Sequence, residues 1–436
     1  MRHARFECVI VGGGAAGLAA HQHLRHAGHE AALLEARDRL GGRIWTEHPS
    51  GWPMAVELGA EFIHGAAPEL DALGRAEEER ETEAWTTIGG RLRRAGEFAG
   101  GADRVFERMR ALPLHGGDQS FAAFLAKACG DLPESARNGA LAYVEGYEAA
   151  DPARISVRSL VREQQAEENG GRWPQRPRAG YDALLNTLSA GAGATIYLGT
   201  QVRRIEWHGG GVRITADHAQ GGMEMQARCA IITLPLALLQ RGAVAFDPPL
   251  GAKSGALQGL VAGGAVRMTL RLREAIWRGM RDSDGETMET LGFLFGHAEA
   301  SGHFPTWWAR ETGGAAQITG WAAGRHAWAL KGWPEERLQE VATEDLGERL
   351  GIPLAKLRMA VIEGHSHDWQ ADPLAAGAYC YAAVGGADAF RSLAEPLAGT
   401  LFFAGEATDA SGHHATVQGA LRSGLRAAEK AISALG

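Results

Sequence analysis

An apolar strand running into Gly12-Gly13-Gly14 and a helix, a change to helical spacing between about residues 68 and 170, and a strand, a glutamate and a long helix closing the chain together predict an α/β protein. The expected architecture is a Rossmann-like cofactor domain with a parallel sheet, assembled from residues 1–67, 195–265 and 396–436. An α+β domain, residues 68–194 and 266–395, is inserted into it and would bind a substrate. With 436 residues the chain is long enough for two cores.

Val9-Ile10-Val11 belongs to the first strand, and Gly12, Gly14 and Gly17 follow it at Gly-x-Gly-x-x-Gly spacing. Gly12 permits the tight turn, Gly14 lets a pyrophosphate reach the backbone, and Gly17, next to Ala16, lets the new helix pack closely on the sheet. The helix N-terminus then faces the anion. Eighteen residues past Gly17 the second strand, Glu30 to Leu34, ends in Glu35, placed to accept hydrogen bonds from a ribose. Strand, helix and acid in register mark a dinucleotide site. The segment Ala36 to Arg43 is basic and carries Gly41 and Gly42, which a simple nicotinamide site does not need. It points to a larger cofactor: Arg37 and Arg43 can neutralise pyrophosphate, and Gly41 and Gly42 let the chain pass close to a ring system. For the arginines alone, a solvated basic loop is the alternative.

Leu58-Gly59-Ala60-Glu61 again offers small residues for backbone contact with a flat ligand, and His64 follows at once. Helical spacing over Ala102–Leu112, Ser120–Ala128 and Glu134–Glu148 predicts a helical lobe, closed by a Pro/Gly/Arg loop from Gly170 to Gly180 and a helix starting at Tyr181. Ala194–Leu198, Val202–Trp207, Val212–Ala216 and Ala230–Leu234 are short strands with turn signals between them, the last stopped by Pro235. From Ala265 to about Tyr381, strands alternate with segments carrying Trp277, Trp307, Trp308, Trp321, Trp328 and Trp333. That pattern suits a sheet lining an apolar cavity, although tryptophans of this kind are more often core. A strand from Leu401 to Gly405 leads to Glu406, a Gly/His loop, and a helix from Thr416, whose row Ala420, Gly424 and Ala428 would press on the sheet.

Hydrophobic content of 45% and charged content of 22%, without a low-complexity tract, are those of an ordinary globular protein. A net charge of -8 argues against nucleic acid as a partner and mildly favours a cationic small molecule. The N-terminus runs straight into the first strand and no run reaches membrane-spanning length, so a cytoplasmic protein without membrane contact is expected. Cys8, Cys129, Cys229 and Cys380 lie far apart and without metal-ligand spacing, which predicts buried free thiols and no metal site.

The Gly12–Gly17 motif, the Glu35–Arg43 block, Leu58-Gly59-Ala60, Gly180-Tyr181 and Thr233-Leu234-Pro235 carry a resemblance that spans nearly the whole chain. So do Trp369 with Asp372-Pro373 and Gly377-Ala378-Tyr379, and Ala404-Gly405-Glu406-Ala407-Thr408 followed by Ala415-Thr416-Val417-Gln418-Gly419. The chain resembles the flavin-containing amine oxidases, a family that includes monoamine oxidases, polyamine oxidases and histone-lysine demethylases. The resemblance implies FAD with its adenine end at the first motif and its isoalloxazine ring between two domains. It implies oxidation of a primary or secondary amine, polyamine or monoamine, by hydride transfer to flavin N5. The imine then hydrolyses to an aldehyde plus amine or ammonia, and oxygen is reduced to hydrogen peroxide. On this reading Glu406, beside Gly405, accepts a ribityl hydroxyl, and Val202 contacts the adenine side through its backbone. The Thr416 and Val417 amides face N1 and O2, where a helix N-terminus stabilises arriving negative charge. Leu58, Gly59, Ala60, Glu61 and Trp369 join the cofactor contacts. His64 resembles the histidine that spermine and acetylpolyamine oxidases carry in the same Ile-His-Gly motif, where an alkylamine can hydrogen-bond it; a structural histidine is the alternative. Tyr379 matches an aromatic position facing the flavin, with an ordinary core tyrosine as the alternative.

Three departures matter. Ala378 stands where monoamine oxidases have the cysteine bonded to the flavin, so FAD should be noncovalent. Thr416 replaces the second tyrosine of the monoamine oxidase pair, leaving the cage half open. Arg267 falls where the family usually has a lysine holding a water beside N5; arginine keeps its proton, so hydride transfer and oxygen reactivity are the properties it would alter. Glu145, Glu148, Asp151, Glu163, Glu167 and Glu168 either attract a polyamine's distal ammonium or form a solvated helix face. Two rival readings remain. One is an L-amino acid oxidase or flavin desaturase on the same scaffold, with Arg267 clamping a carboxylate. The other is a flavin-binding protein without catalysis.

Overall fold

The computed structural model describes residues 2–65, 67–73, 84–88, 91–113, 116–167, 175–296 and 302–436. Two large sheets organise the chain. Across the first the strands run Ala245–Asp247, Thr200–His208, Gly211–His218, Met223–Ile232, Arg2–Val11, Ala31–Leu34 and Ile196–Tyr197, with Leu401–Phe403 as an eighth. Arg2–Val11 is parallel to both its neighbours, Met223–Ile232 and Ala31–Leu34. The chain therefore departs to opposite sides of this strand, and its C-terminal end is the switch point at which such a sheet opens a crevice. Helices cover the sheet, so Val9–Val11, Ala31–Leu34 and Cys229–Ile232 are continuous buried runs rather than alternating ones. Met223–Ile232 changes partners along its length, pairing antiparallel with Gly211–His218 and then parallel with Leu401–Phe403.

The second sheet runs Val361–Asp368, Ala265–Leu272, Ala315–Ala323, Thr306–Thr312, Phe293–Gly296, Ala84–Ile88 and Arg91–Arg94. All its pairings are antiparallel except that of Phe293–Gly296 with Ala84–Ile88. Every residue of Ala265–Leu272 is buried. Helices Gly96–Arg110, Phe121–Ala128, Glu134–Gly146 and Val157–Glu167 form the lobe around Val105, Phe121, Phe124, Val144 and Leu160. Among the described residues, no helix is long and apolar enough to cross a membrane. The four cysteines are free and buried.

Several elements differ from the sequence reading. The strand expected from Ala230 starts at Met223, because Met223, Met225 and Ala227 point inward between Glu224, Gln226 and Arg228. Ala194–Leu198 contracts to Ile196–Tyr197 behind a short 3₁₀ turn, Gly193–Thr195. The helix expected over residues 102–112 spans Gly96–Arg110, and the one expected to reach Glu148 ends at Gly146. The small-residue row meets a helix: a Cβ on Gly424 would lie 2.2 Å from Ala16 O, so Val417–Leu435 presses directly on Ala15–His26 while also packing on the strands Met223–Ile232 and Leu401–Phe403. Of the six tryptophans, Trp277 and Trp307 are core, Trp308 and Trp321 line a cavity, Trp333 flanks the core and Trp328 is exposed. Glu168 and the start of the Gly170–Gly180 loop lie outside the described residues.

Candidate active site

A cavity of about 1250 Å³ begins at the switch point of the first sheet and extends to the second. That exceeds a typical single-ligand pocket. On the first-sheet side its wall includes Gly12, Gly14, Ala16, Glu35, Ala36, Arg37, Gly42, Arg43, Val202, Gly405, Glu406, Thr416 and Val417. Gly12 has φ +112°, and a Cβ there would lie 2.4 Å from Thr233 Oγ1. At Gly17 a Cβ would lie 1.9 Å from Gly12 O, so Gly17 closes helix onto turn from behind the wall. At Gly14 the nearest atom would be Gly41 O, 3.8 Å away; that space is open to a ligand. Leu58 is also behind the wall, buried, its carbonyl accepting the Trp369 indole N–H at 2.9 Å. Gly59, Ala60, Glu61 and Trp369 line the cavity. Glu35 accepts from Gly13 N at 2.6 Å and Arg37 N at 2.8 Å, which fixes its carboxylate at the end of the second strand.

The arginines expected against pyrophosphate are matched within the protein. Arg37 Nη2 donates to both carboxylate oxygens of Asp372, at 2.7 and 2.8 Å. Arg43 Nη1 donates to Glu406 Oε1 at 2.9 Å and to the Ala378 carbonyl. The reason is burial: Asp372 and Glu406 are each 6% exposed, and a carboxylate so placed requires a cation. Burial alone would raise the Asp372 carboxyl, but hydrogen bonds from His367 and Arg37 hold it far below the usual range. Glu406 Oε2 also accepts from Cys380 Sγ and Ala415 N, leaving little of the carboxylate for a ribityl hydroxyl. The Thr416 hydroxyl caps the last helix, accepting from Gly419 N at 3.0 Å and donating to His413 O at 2.6 Å.

Toward the second sheet the wall becomes aromatic, with Phe62, Tyr147, Phe293, Trp308, Trp321 and Tyr379. Arg267 projects from the strand Ala265–Leu272 and is 2% exposed. Its Nη1 donates to Gly59 O at 2.8 Å and its Nη2 to Glu61 Oε2 at 2.5 Å. Glu61, expected among the cofactor contacts, is thus first an ion-pair partner; its Oε1 accepts from Arg176 Nε at 2.8 Å. Burial would raise this carboxyl, but Arg176 and Arg267 bring it down to about 2. His64 Nδ1 lies 3.1 Å from Tyr147 Oη, and burial lowers this imidazole to about 4, so it is neutral near pH 7. Tyr379 donates its hydroxyl to Tyr147 O at 2.5 Å, and burial pushes its phenol well above the ordinary value. Tyr147, absent from the sequence reading, therefore joins His64 to Tyr379. Its carbonyl is available because the helix stops at Gly146. Gln418, read in the sequence only as part of the Ala415–Gly419 motif and given no role there, donates to His64 O at 2.7 Å.

Glu145, Glu148 and Glu163 line the cavity instead of an outer face, while Asp151 is exposed. Glu145 lies 3.3 Å from Arg325 Nε, and Glu163 Oε1 lies 2.6 Å from His414 Nε2. His414 stacks on Phe390 at 3.9 Å; although burial disfavours its charged form, Glu163 raises it. No local pattern announced His414, because it sits in the loop before the last helix and its partner Glu163 is far away in sequence, on the helix Val157–Glu167.

These residues fit a flavin dinucleotide. Gly14 leaves room where a side chain would intrude, Glu35 is fixed at the sheet edge, and the Gln418 Oε1 acceptor on the wall is buried without a partner among the described residues. The fold and site together define a dinucleotide-dependent redox protein with an apolar reaction chamber. The sequence profile described as flavin containing amine oxidoreductase matches residues 15–77 and 77–432, and the chain belongs to that family. Its cofactor is a flavin. Polyamine oxidase 1 of Oryza sativa subsp. japonica is 28% identical over 503 residues, covering 97% of this chain and 96% of that protein. Lysine-specific histone demethylase 2 of Homo sapiens is 28% identical over 456 residues, covering 97% of this chain and 53% of that one. Putrescine oxidase, solved as the wild type bound to putrescine, superposes with TM-score 0.80 at 22% identity, over 99% of this chain and 100% of that one. Cyclohexylamine oxidase from Brevibacterium oxydans IH-35A gives TM-score 0.78 at 19% identity, over 98% and 99% of the two chains. The structural likenesses establish the fold.

Proposed function

We propose that this protein oxidises a primary or secondary amine, using FAD held noncovalently and oxygen as the electron acceptor. The observation that carries the reading is the continuity of the cavity, which joins the Gly12–Gly17 cradle and Glu35 to the wall of Arg267, His64 and Tyr379. Bound there, the flavin would take a hydride equivalent from the amine's α-carbon and return the electrons to oxygen as hydrogen peroxide.

The side chains have to bring the amine in uncharged. A free alkylamine keeps its proton up to about pH 10.4, and an apolar wall favours the neutral form by withholding solvent. Phe62, Phe293 and Trp308 provide such a surface for the carbon chain, and their rings pack on one another. His64, itself neutral, can hydrogen-bond the nitrogen without adding a charge. The Tyr379 ring is held in one orientation by its bond to Tyr147 O, which fixes the surface against which the amine lies. Arg267 is held through both Nη atoms by Gly59 O and Glu61, which makes it less free to clamp a substrate carboxylate and weighs against an amino acid oxidase.

The deciding experiment is anaerobic mixing of the holoprotein with monoamines, diamines, polyamines and L-amino acids while flavin absorbance is followed. Bleaching by amines and none by amino acids is expected. Turnover of amino acids alone would replace this reading, and no bleaching by any compound would favour a flavin protein without catalysis.

A further inference from the structure

Glu61 lies where Arg267 meets the cavity wall, and three donors converge on it. Arg267 Nη2 and Trp308 Nε1 reach Oε2 at 2.5 and 2.9 Å, and Arg176 Nε reaches Oε1 at 2.8 Å. Arg267 is held a second time by Gly59 O at 2.8 Å, and its guanidinium carbon is 5.6 Å from the centre of the Trp308 ring. An arginine side chain has many rotamers to lose. With two nitrogens tied to separate anchors and an indole beside its plane, this one keeps a single pose. The tie is also electrostatic, since removing one member of a buried ion pair leaves the other uncompensated in low dielectric.

We propose that Glu61 is a positioning residue: by locking Arg267 it sets one fixed cation on the cavity wall, and the two residues act as a unit. The kinetic consequence rests on the amine-oxidising reading above; the structural coupling does not. A fixed positive charge facing the chamber disfavours a second one, so it lowers the pKa of a bound amine and favours the form that can be oxidised. A lysine at position 267 would present a single compact ammonium in place of the planar fork that meets Gly59 O and Glu61 through separate nitrogens. Glu61 serves the reaction only through Arg267, which is why its charge matters less than the place where it holds the guanidinium.

The test compares Glu61→Gln, Arg267→Gln and the double variant in anaerobic bleaching by the amine that acts fastest on the wild type. Each single variant should lose about tenfold or more in limiting rate at neutral pH, since a displaced group costs that much. The double variant should be no slower than the slower single. Both singles should also move the acid limb of the limiting rate to higher pH. A purely electrostatic role for Glu61 gives the opposite direction in Glu61→Gln, because removing an anion lowers the amine pKa further; a purely structural role leaves the limb in place. Multiplying losses, or a limb that stays or moves down in Glu61→Gln, would overturn the proposal. Thermal melting of the flavin-free protein reads the coupling without catalysis: the double variant should melt nearer to each single than the sum of their shifts predicts, and additive shifts count against the unit. If no amine bleaches the wild type, the functional reading fails and this melting cycle still decides whether Glu61 and Arg267 are coupled.

Discussion

Gly14 and Gly17 belong to one motif, but the structure separates their roles, and two alanine substitutions measure the separation. At Gly17 the added methyl would lie 1.9 Å from Gly12 O and 3.1 Å from both Gly12 C and Thr233 Oγ1. Comfortable contact needs roughly 3.5 Å, so the first turn of the helix has to retreat by more than an ångström, and the opposing atom is backbone that no rotamer can move. Forced overpacking costs about 1–3 kcal/mol, and a backbone clash belongs at the upper end. At Gly14 the nearest atom is 3.8 Å away, and its φ of -78° and ψ of -176° suit alanine. There the flavin-free protein loses only the advantage of glycine over alanine at a helix N-cap, about 0.5–1 kcal/mol. The methyl instead occupies space meant for the ligand, so flavin affinity should fall by at least about tenfold, or 1.4 kcal/mol. Urea unfolding of the two flavin-free variants and flavin titration by fluorescence quenching give both quantities. Equal destabilisation of the flavin-free protein by both substitutions, or undiminished flavin affinity in Gly14→Ala, would refute the division of labour.

Three further outcomes are expected. The acid limb of kcat/KM should follow the pKa of whichever amine is supplied, because on the cavity wall Glu61 lies near 2, His64 and His326 near 4, and Tyr379 far above the working range; a limb fixed near neutrality across amines would instead implicate Glu57, which burial raises to about 7 beside Glu61 and Arg267, or His414, which Glu163 raises. Acid precipitation of the holoprotein should release all its colour to the supernatant, since Ala378 offers no thiol to the flavin; a yellow pellet would contradict noncovalent binding. His21 is fully buried against Thr195 Oγ1 at 3.0 Å, and burial lowers its pKa from 6.5 to about 4. The unfolded chain therefore binds this proton first, so the contribution is complete above about pH 6.5 and is lost as the pH falls toward 4, by up to ~3 kcal/mol. Urea midpoints of the flavin-free protein at pH 7 and 4.5 should converge more in His21→Gln than in the wild type, and an unchanged difference would exclude His21 as a source.

The cradle is legible in the sequence because backbone geometry leaves marks in residue type. Only glycine can take φ +112° beside Thr233 or let Gly17 reach Gly12 O, and a glutamate ending a buried strand has few partners besides backbone amides and ligand. Tyr147 and Gln418 carry no such mark, because a tyrosine after a helix and a glutamine within one look the same whether or not they bear on His64. The ion pairs are hidden for a related reason: Arg37 and Asp372 are 335 residues apart, Arg267 and Glu61 206. Local pattern assigns Arg37 and Arg43 to phosphate because it shows a basic loop and cannot show which buried carboxylate the fold will bring to each. The pairing inside the protein does not take these arginines away from the ligand, since both still line the cavity. The guanidiniums of Arg37, Arg43 and Arg267 each have a carboxylate partner, and an aromatic surface and a neutral imidazole share the wall with them. On the amine-oxidising proposal, such a site would discriminate an amine by whether it can shed its proton on entry, so that the proton affinity of the bound nitrogen, more than the number of acidic side chains lining the cavity, would separate good substrates from poor ones.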